Sequence, residues 1–210
     1  MQVEPSGRAR AAIIWLALGA AINVPMIAAA YSPLLQWRDP VYWLASFSGI
    51  LGLALMLVQP LLAAGLLPGM SPSGSRRLHR VFGMILVLAV VTHVGALWVT
   101  SPPDVIDALL LVSPTPFSVW GVVAMWAVFG AAALAAFRKV LKLKFPLWQR
   151  LHIATVAMAV TATIVHALRI EGVMETTSKA ALCALAAAAL AYGVLVIRRR
   201  RRGLRGAPGA

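Results

Sequence analysis

The chain has 210 residues, 61% of them hydrophobic and only 12% charged. That balance excludes an ordinary soluble domain, because the apolar runs are too long and too many for one water-exposed fold to bury. The net charge of +13 does not indicate nucleic acid, since the basic residues fall almost wholly in alternate loops and a juxtamembrane run, Arg198 to Arg202, suits anionic lipid heads.

In chain order, six apolar segments reach spanning length: about Ala12 to Ala30, Val41 to Leu67, Arg80 to Thr100, Phe117 to Phe137, His152 to Leu168 and Ala180 to Ile197. Backbone groups in lipid must be satisfied within each segment, so all six are expected to be helices. The fold class is therefore all-α: one polytopic membrane domain, a six-helix bundle over 12–197, with an N-terminal tail at 1–11 and a basic C-terminal tail at 198–210. The first segment follows Arg8 and Arg10 and ends in three alanines, a pattern shared with signal peptides. Its apolar core is long for that role, and it is read as a retained span.

The connections carry their own signals. Pro68 to Ser75 is rich in Pro, Gly and Ser and predicts a flexible link. Between prolines, Asp104 to Leu111 predicts a short interfacial helix in the loop Ser101 to Pro116, in a position to act as a lid. The loop Arg138 to Phe145 alternates Lys with apolar residues and could dock an acidic partner. Cys183 is the one cysteine; it excludes an intrachain disulfide and is expected to be a small buried hydrophobe.

Orientation follows from the distribution of charge. If the N-terminus is cytoplasmic, that side receives every Lys and Arg except Arg38, Arg169 and Lys179, while every acidic residue except Glu4 falls outside. The positive-inside rule then places both termini in the cytoplasm, and a bacterial inner membrane is the expected location. The third and fifth spans would run in the same direction.

Those two spans hold all four histidines. Arg77-Leu78-His79 opens one and Arg150-Leu151-His152 opens the other, each followed fourteen residues later by a second histidine, His93 and His166. Fourteen helical residues advance about 1400°, so both histidines of a span lie within roughly 40° of one face and about 21 Å apart. Two such helices side by side would present paired imidazoles at two depths.

A buried ionisable group in a span points to function. Zinc or copper needs three or four ligands close together, whereas each level offers two imidazoles. Two axial nitrogens are what a haem iron requires, with the porphyrin supplying the other four. Small residues between the histidines, Gly83 and Ala89 on one span and Thr155, Val156, Ala159, Ala162 and Thr163 on the other, would make room for it or would pack helices. Arg77, Arg80 and Arg150 at one level and Arg169 at the other are candidate partners for its propionates. Without a Cys-x-x-Cys-His motif any haem would be non-covalent, and a bis-histidine iron has no open position, which favours electron transfer.

The pattern Arg-x-Leu-His-Arg-x-x-Gly with His93, then Trp148-x-Arg-Leu-His152 with His166, resembles the ferric reductase-like transmembrane domain family. That family includes ferric reductases, the membrane part of NADPH oxidases and the haem subunit of the bacterial periplasmic methionine sulfoxide reductase system. The resemblance implies that His79, His93, His152 and His166 ligate two b-type haems. Thirteen residues follow Ile197, without room for a nucleotide-binding domain, so FAD or FMN would come from a partner. The expected donor is a cytoplasmic flavin reductase or membrane quinol, and the acceptor outside is ferric iron, dioxygen or a redox protein. Two readings stand beside this one: a quinol-handling cytochrome b subunit of a larger complex, and a haem-free membrane transporter or scaffold.

Overall fold

The computed structural model describes the backbone of residues 5–206 and the side chains of residues 7–202; the outermost parts of both expected tails lie outside the described residues. All regular structure among them is helical: α1 (Pro5–Ala30), α2 (Pro40–Ala63), α3 (Pro72–Thr100), α4 (Pro102–Leu109), α5 (Ser118–Ala136), α6 (Phe145–Arg169) and α7 (Thr176–Gly206), with a 3-10 turn at Pro33–Leu35. Six of them, all but α4, are long and apolar enough to cross a membrane. Their outward rows carry Leu16, Met84, Leu88, Val91, Trp126 and Met158, exposed as lipid-facing side chains should be. Trp37 and Tyr31, in the connection from α1 to α2, stand almost fully exposed, as aromatic residues do at a membrane boundary.

The bundle is built around α2. Asp39 caps it by accepting from the Tyr42 amide at 2.9 Å, Pro40 fits the first turn, and every residue from Gly52 to Pro60 is buried. Lipid chains are as apolar as leucine, so hydrophobicity alone does not hold these helices together; close van der Waals packing does. The interface of α2 with α7 accordingly uses small residues, with Ala54, Leu53 and Leu57 packed against Leu182, Cys183, Ala186 and Ala189. Cys183 is buried and free there, as its apolar context predicts.

Two expectations about the α2 to α3 connection need correction. The second span was expected to reach Leu67, but α2 stops at Ala63 in a Schellman turn: Gly65, at φ +61°, donates to Leu62 O at 3.1 Å, and Leu66 donates to Leu61 O at 2.9 Å. Apolar composition could not reveal this stop; a glycine able to adopt the left-handed conformation sets it. The link expected over Pro68 to Ser75 is a turn only as far as Ser71, and the rest is the first turn of α3. Ser71 caps α3 by accepting from the Gly74 amide at 3.1 Å, Pro72 starts the helix, and the buried Ser75 hydroxyl donates to Leu62 O at 2.7 Å. The Pro and Ser residues initiate a helix here rather than a loop.

The histidine-bearing helices do not pack side by side. α3 lies mainly on α2, α6 lies mainly on α5, and the two pairs face each other. Their common ground is a middle layer formed by Met56, Ala127, Val128, Ala159 and Val160, with Leu86, Val87 and Val90 against it. This layer lies between His79 and His93 along α3 and between His152 and His166 along α6. It separates a basic end of the bundle, carrying His79 and His152, from an acidic end carrying His93 and His166.

Candidate functional site

At the acidic end the bundle encloses a cavity of about 710 Å³. His93 and His166 both line it, together with Gly49, Gly121, Thr163, residues of α4 and the segment Ile170 to Met174. Its size falls in the range of small-molecule and cofactor sites.

Both imidazoles are fixed in the same way. His93 donates its Nδ1–H to Ala45 O at 2.7 Å, and His166 donates its Nδ1–H to Phe117 O at 2.9 Å. A carbonyl can only accept, so each bond puts the proton on Nδ1 and leaves the lone pair on Nε2. Four residues after each acceptor stands a glycine. A Cβ on Gly49 would lie 3.0 Å from the His93 ring, and one on Gly121 would lie 2.9 Å from the His166 ring. The neighbouring helix thus supplies a carbonyl to orient the ring and a missing side chain to admit it. The Phe117 ring closes edge-on against His166, with centroids 5.8 Å apart.

The basic end repeats the plan less completely. His79 donates its Nδ1–H to Gln59 O at 3.3 Å. The Ala131 carbonyl faces the His152 ring, but His152 Nδ1 makes no hydrogen bond. Gln59 follows Ala45 by fourteen residues and Ala131 follows Phe117 by fourteen, the spacing of the histidines themselves. Antiparallel helices therefore meet in register, with three carbonyls accepting from three of the four imidazoles. His152 is also stacked on Trp148 at 5.4 Å and 14°, Trp148 Nε1 donates to Leu134 O at 2.8 Å, and Phe145 and Arg138 extend the stack toward the end of the bundle.

His93 and His166 line one cavity. Among the described residues no group of three or more His, Cys, Asp or Glu could enclose a metal ion. Two imidazoles with fixed tautomers, lining one cofactor-sized cavity, would be able to hold an iron porphyrin.

The small residues divide between the two roles expected for them. Thr163 lines the cavity, whereas Val156 and Ala159 join the middle layer and Gly83 makes room for the Gln59 carboxamide. Arg77, Arg80 and Arg150 are exposed at the basic end, and Arg169 is exposed beyond His166 without lining the cavity. The cations that do line it are Arg38 and Lys179. Arg38 sits at the rim with its guanidinium 4.5 Å over the Tyr42 ring, while Lys179 is 7% exposed. Neither was singled out by sequence, although both are exceptions to the charge bias. The helix α4 was expected as an interfacial segment, and its Asp104, Val105, Ala108 and Leu109 lie along the cavity.

These features define an integral membrane protein of the all-helical, polytopic class, with two histidines on each of two spans and one from each span lining a common cavity. The chain matches the family of the ferric reductase like transmembrane component over residues 48–163, more than half its length, and it belongs to that family. No curated protein and no solved structure matches it.

Proposed function

We propose that the protein is a b-type cytochrome that conducts electrons across the membrane through two haems, one held by His93 and His166 and the other by His79 and His152. The observation that carries this reading is the pair of Nδ1–H bonds to Ala45 O and Phe117 O, which leave Nε2 unprotonated on two rings that line one cavity. Iron porphyrin held by two imidazoles supplies a one-electron carrier without an open coordination position.

The chain's own contribution is orientation, seclusion and charge. Backbone carbonyls fix the tautomer and raise the basicity of the ligating nitrogens. The middle layer of Met56, Val128 and Val160 keeps water and ions out between the two levels. α4 covers the cavity at the acidic end, as a lid would. By the charge bias the basic end is cytoplasmic, in a bacterial inner membrane, and electrons enter there from a flavin reductase carrying FAD or FMN. They leave at the outer face to ferric iron, dioxygen or an external oxidoreductase.

One observation favours a second reading of the donor. Gln59 Oε1, Gln149 Oε1 and His152 Nδ1 are buried without hydrogen-bond partners, and all three belong to the basic end. Buried polar atoms call for a partner, and a membrane quinol could supply one.

The test uses the full chain in sealed vesicles with reductant trapped inside and a membrane-impermeant ferric chelate outside. Reduction of the chelate should run at least about tenfold faster than in protein-free vesicles, and His166→Ala should return it to the background. Equal rates with and without protein would end the conduit reading. Supplying quinol in place of a flavin reductase distinguishes the two donors.

A further inference from the structure

Lys179 occupies a place where a cation is disfavoured on three counts. It is buried, with 7% of its surface exposed. It sits in the first turn of α7, where the helix dipole repels positive charge. Its ammonium makes one side-chain hydrogen bond among the described residues, to Ile170 O at 2.9 Å, and none to a carboxylate. An ammonium so placed needs an anion, and two of its three N–H donors remain to bind one.

The nearby carboxylates are committed elsewhere. Glu175 accepts from the Thr177 and Ser178 amides at 2.6 and 2.7 Å, and those bonds hold its carboxyl down from 4.5 to about 2. Asp39 caps α2, and Asp104 accepts from the Ser101 hydroxyl. Glu171 is exposed. Lys179 lines the same space as His93 and His166.

We propose that Lys179 holds a carboxylate of the ligand in this cavity, a porphyrin propionate, the role for which sequence alone suggested Arg169. This rests on the bis-imidazole haem reading and adds a specific anion site to it. Arg38, at the solvated rim, contributes less because water screens it.

The test is a titration of the full chain, freed of its own cofactor, in a His79→Ala/His152→Ala background so that only the acidic-end site binds. Iron protoporphyrin and its dimethyl ester, which lacks the carboxylates, are compared by the Soret shift. Protein with Lys179 intact should prefer the free acid by about tenfold or more, the usual scale of a charge-assisted bond. Lys179→Met should abolish that preference by weakening the free acid alone, and Lys179→Arg should keep part of it. A preference unchanged in Lys179→Met, one lost instead in Arg169→Gln, or an equal loss of both porphyrins overturns the assignment. Absence of a bis-imidazole spectrum even with Lys179 intact overturns the haem reading itself.

Discussion

Replacing His166 by alanine should lower the haem content of the purified protein from about two per chain to about one, and replacing His93 should do the same. The two rings serve one cavity, so losing either leaves an iron with one protein ligand where two are needed. His79→Ala should instead remove the basic-end haem and leave the acidic-end one in place, because the middle layer of Met56, Val128 and Val160 lies between the levels. Haem extraction with reduced-minus-oxidised spectra at low temperature checks both results. Loss of both haems on each single substitution would mean that the levels are not independent sites.

A second large effect is expected at a residue that ligates nothing itself. Gly121→Leu should expel the acidic-end haem almost as thoroughly as His166→Ala. A Cβ at residue 121 would already lie 2.9 Å from the His166 ring, and that ring is tied to Phe117 O, so it cannot retreat without surrendering the bond that fixes its tautomer. Overpacking of this kind costs about 1–3 kcal/mol in stability, and the displaced imidazole adds the loss of the iron ligand. Gly49→Leu should act the same way through His93, whose ring lies 3.0 Å from a Cβ built there. Gly95→Leu is the comparison, since nothing lies within 4 Å of its Cβ position; it should keep both haems. Haem content and thermal unfolding in detergent, measured on all three, separate a blocked ring from a general intolerance of leucine. Full retention of haem in Gly121→Leu would show that the ring does not sit where the carbonyl bond places it.

The sequence made the membrane architecture legible because hydrophobicity over about 20 residues is a strong signal and the charges punctuate it. The histidines were legible for a similar reason: four residues of one rare type, twice spaced by fourteen, cannot hide. Their supports were not. Ala45, Gln59 and Phe117 act through backbone carbonyls, and Ala131 stands at the fourth position of the same register; every residue has a carbonyl, so side-chain chemistry gives no hint of them. A usable trace does exist in the register: these four repeat the interval of fourteen, and each is followed four residues later by Gly49, Ala63, Gly121 or Ala135. The arginines show the opposite limit. Arg169 drew attention by lying near His166 in sequence, yet its helical position turns it away from the cavity, while Lys179 arrives there from a different helix. Nor could composition show that α2, which has no histidine, is the most deeply buried span.

The most direct test of the central claim is the electron paramagnetic resonance spectrum of the oxidised, purified chain, with its haem quantified in parallel. Imidazole pairs clamping an iron porphyrin at two depths predict low-spin ferric signals of the bis-imidazole type, integrating to about two per polypeptide. A colourless protein, or a high-spin iron with one protein ligand, would contradict it.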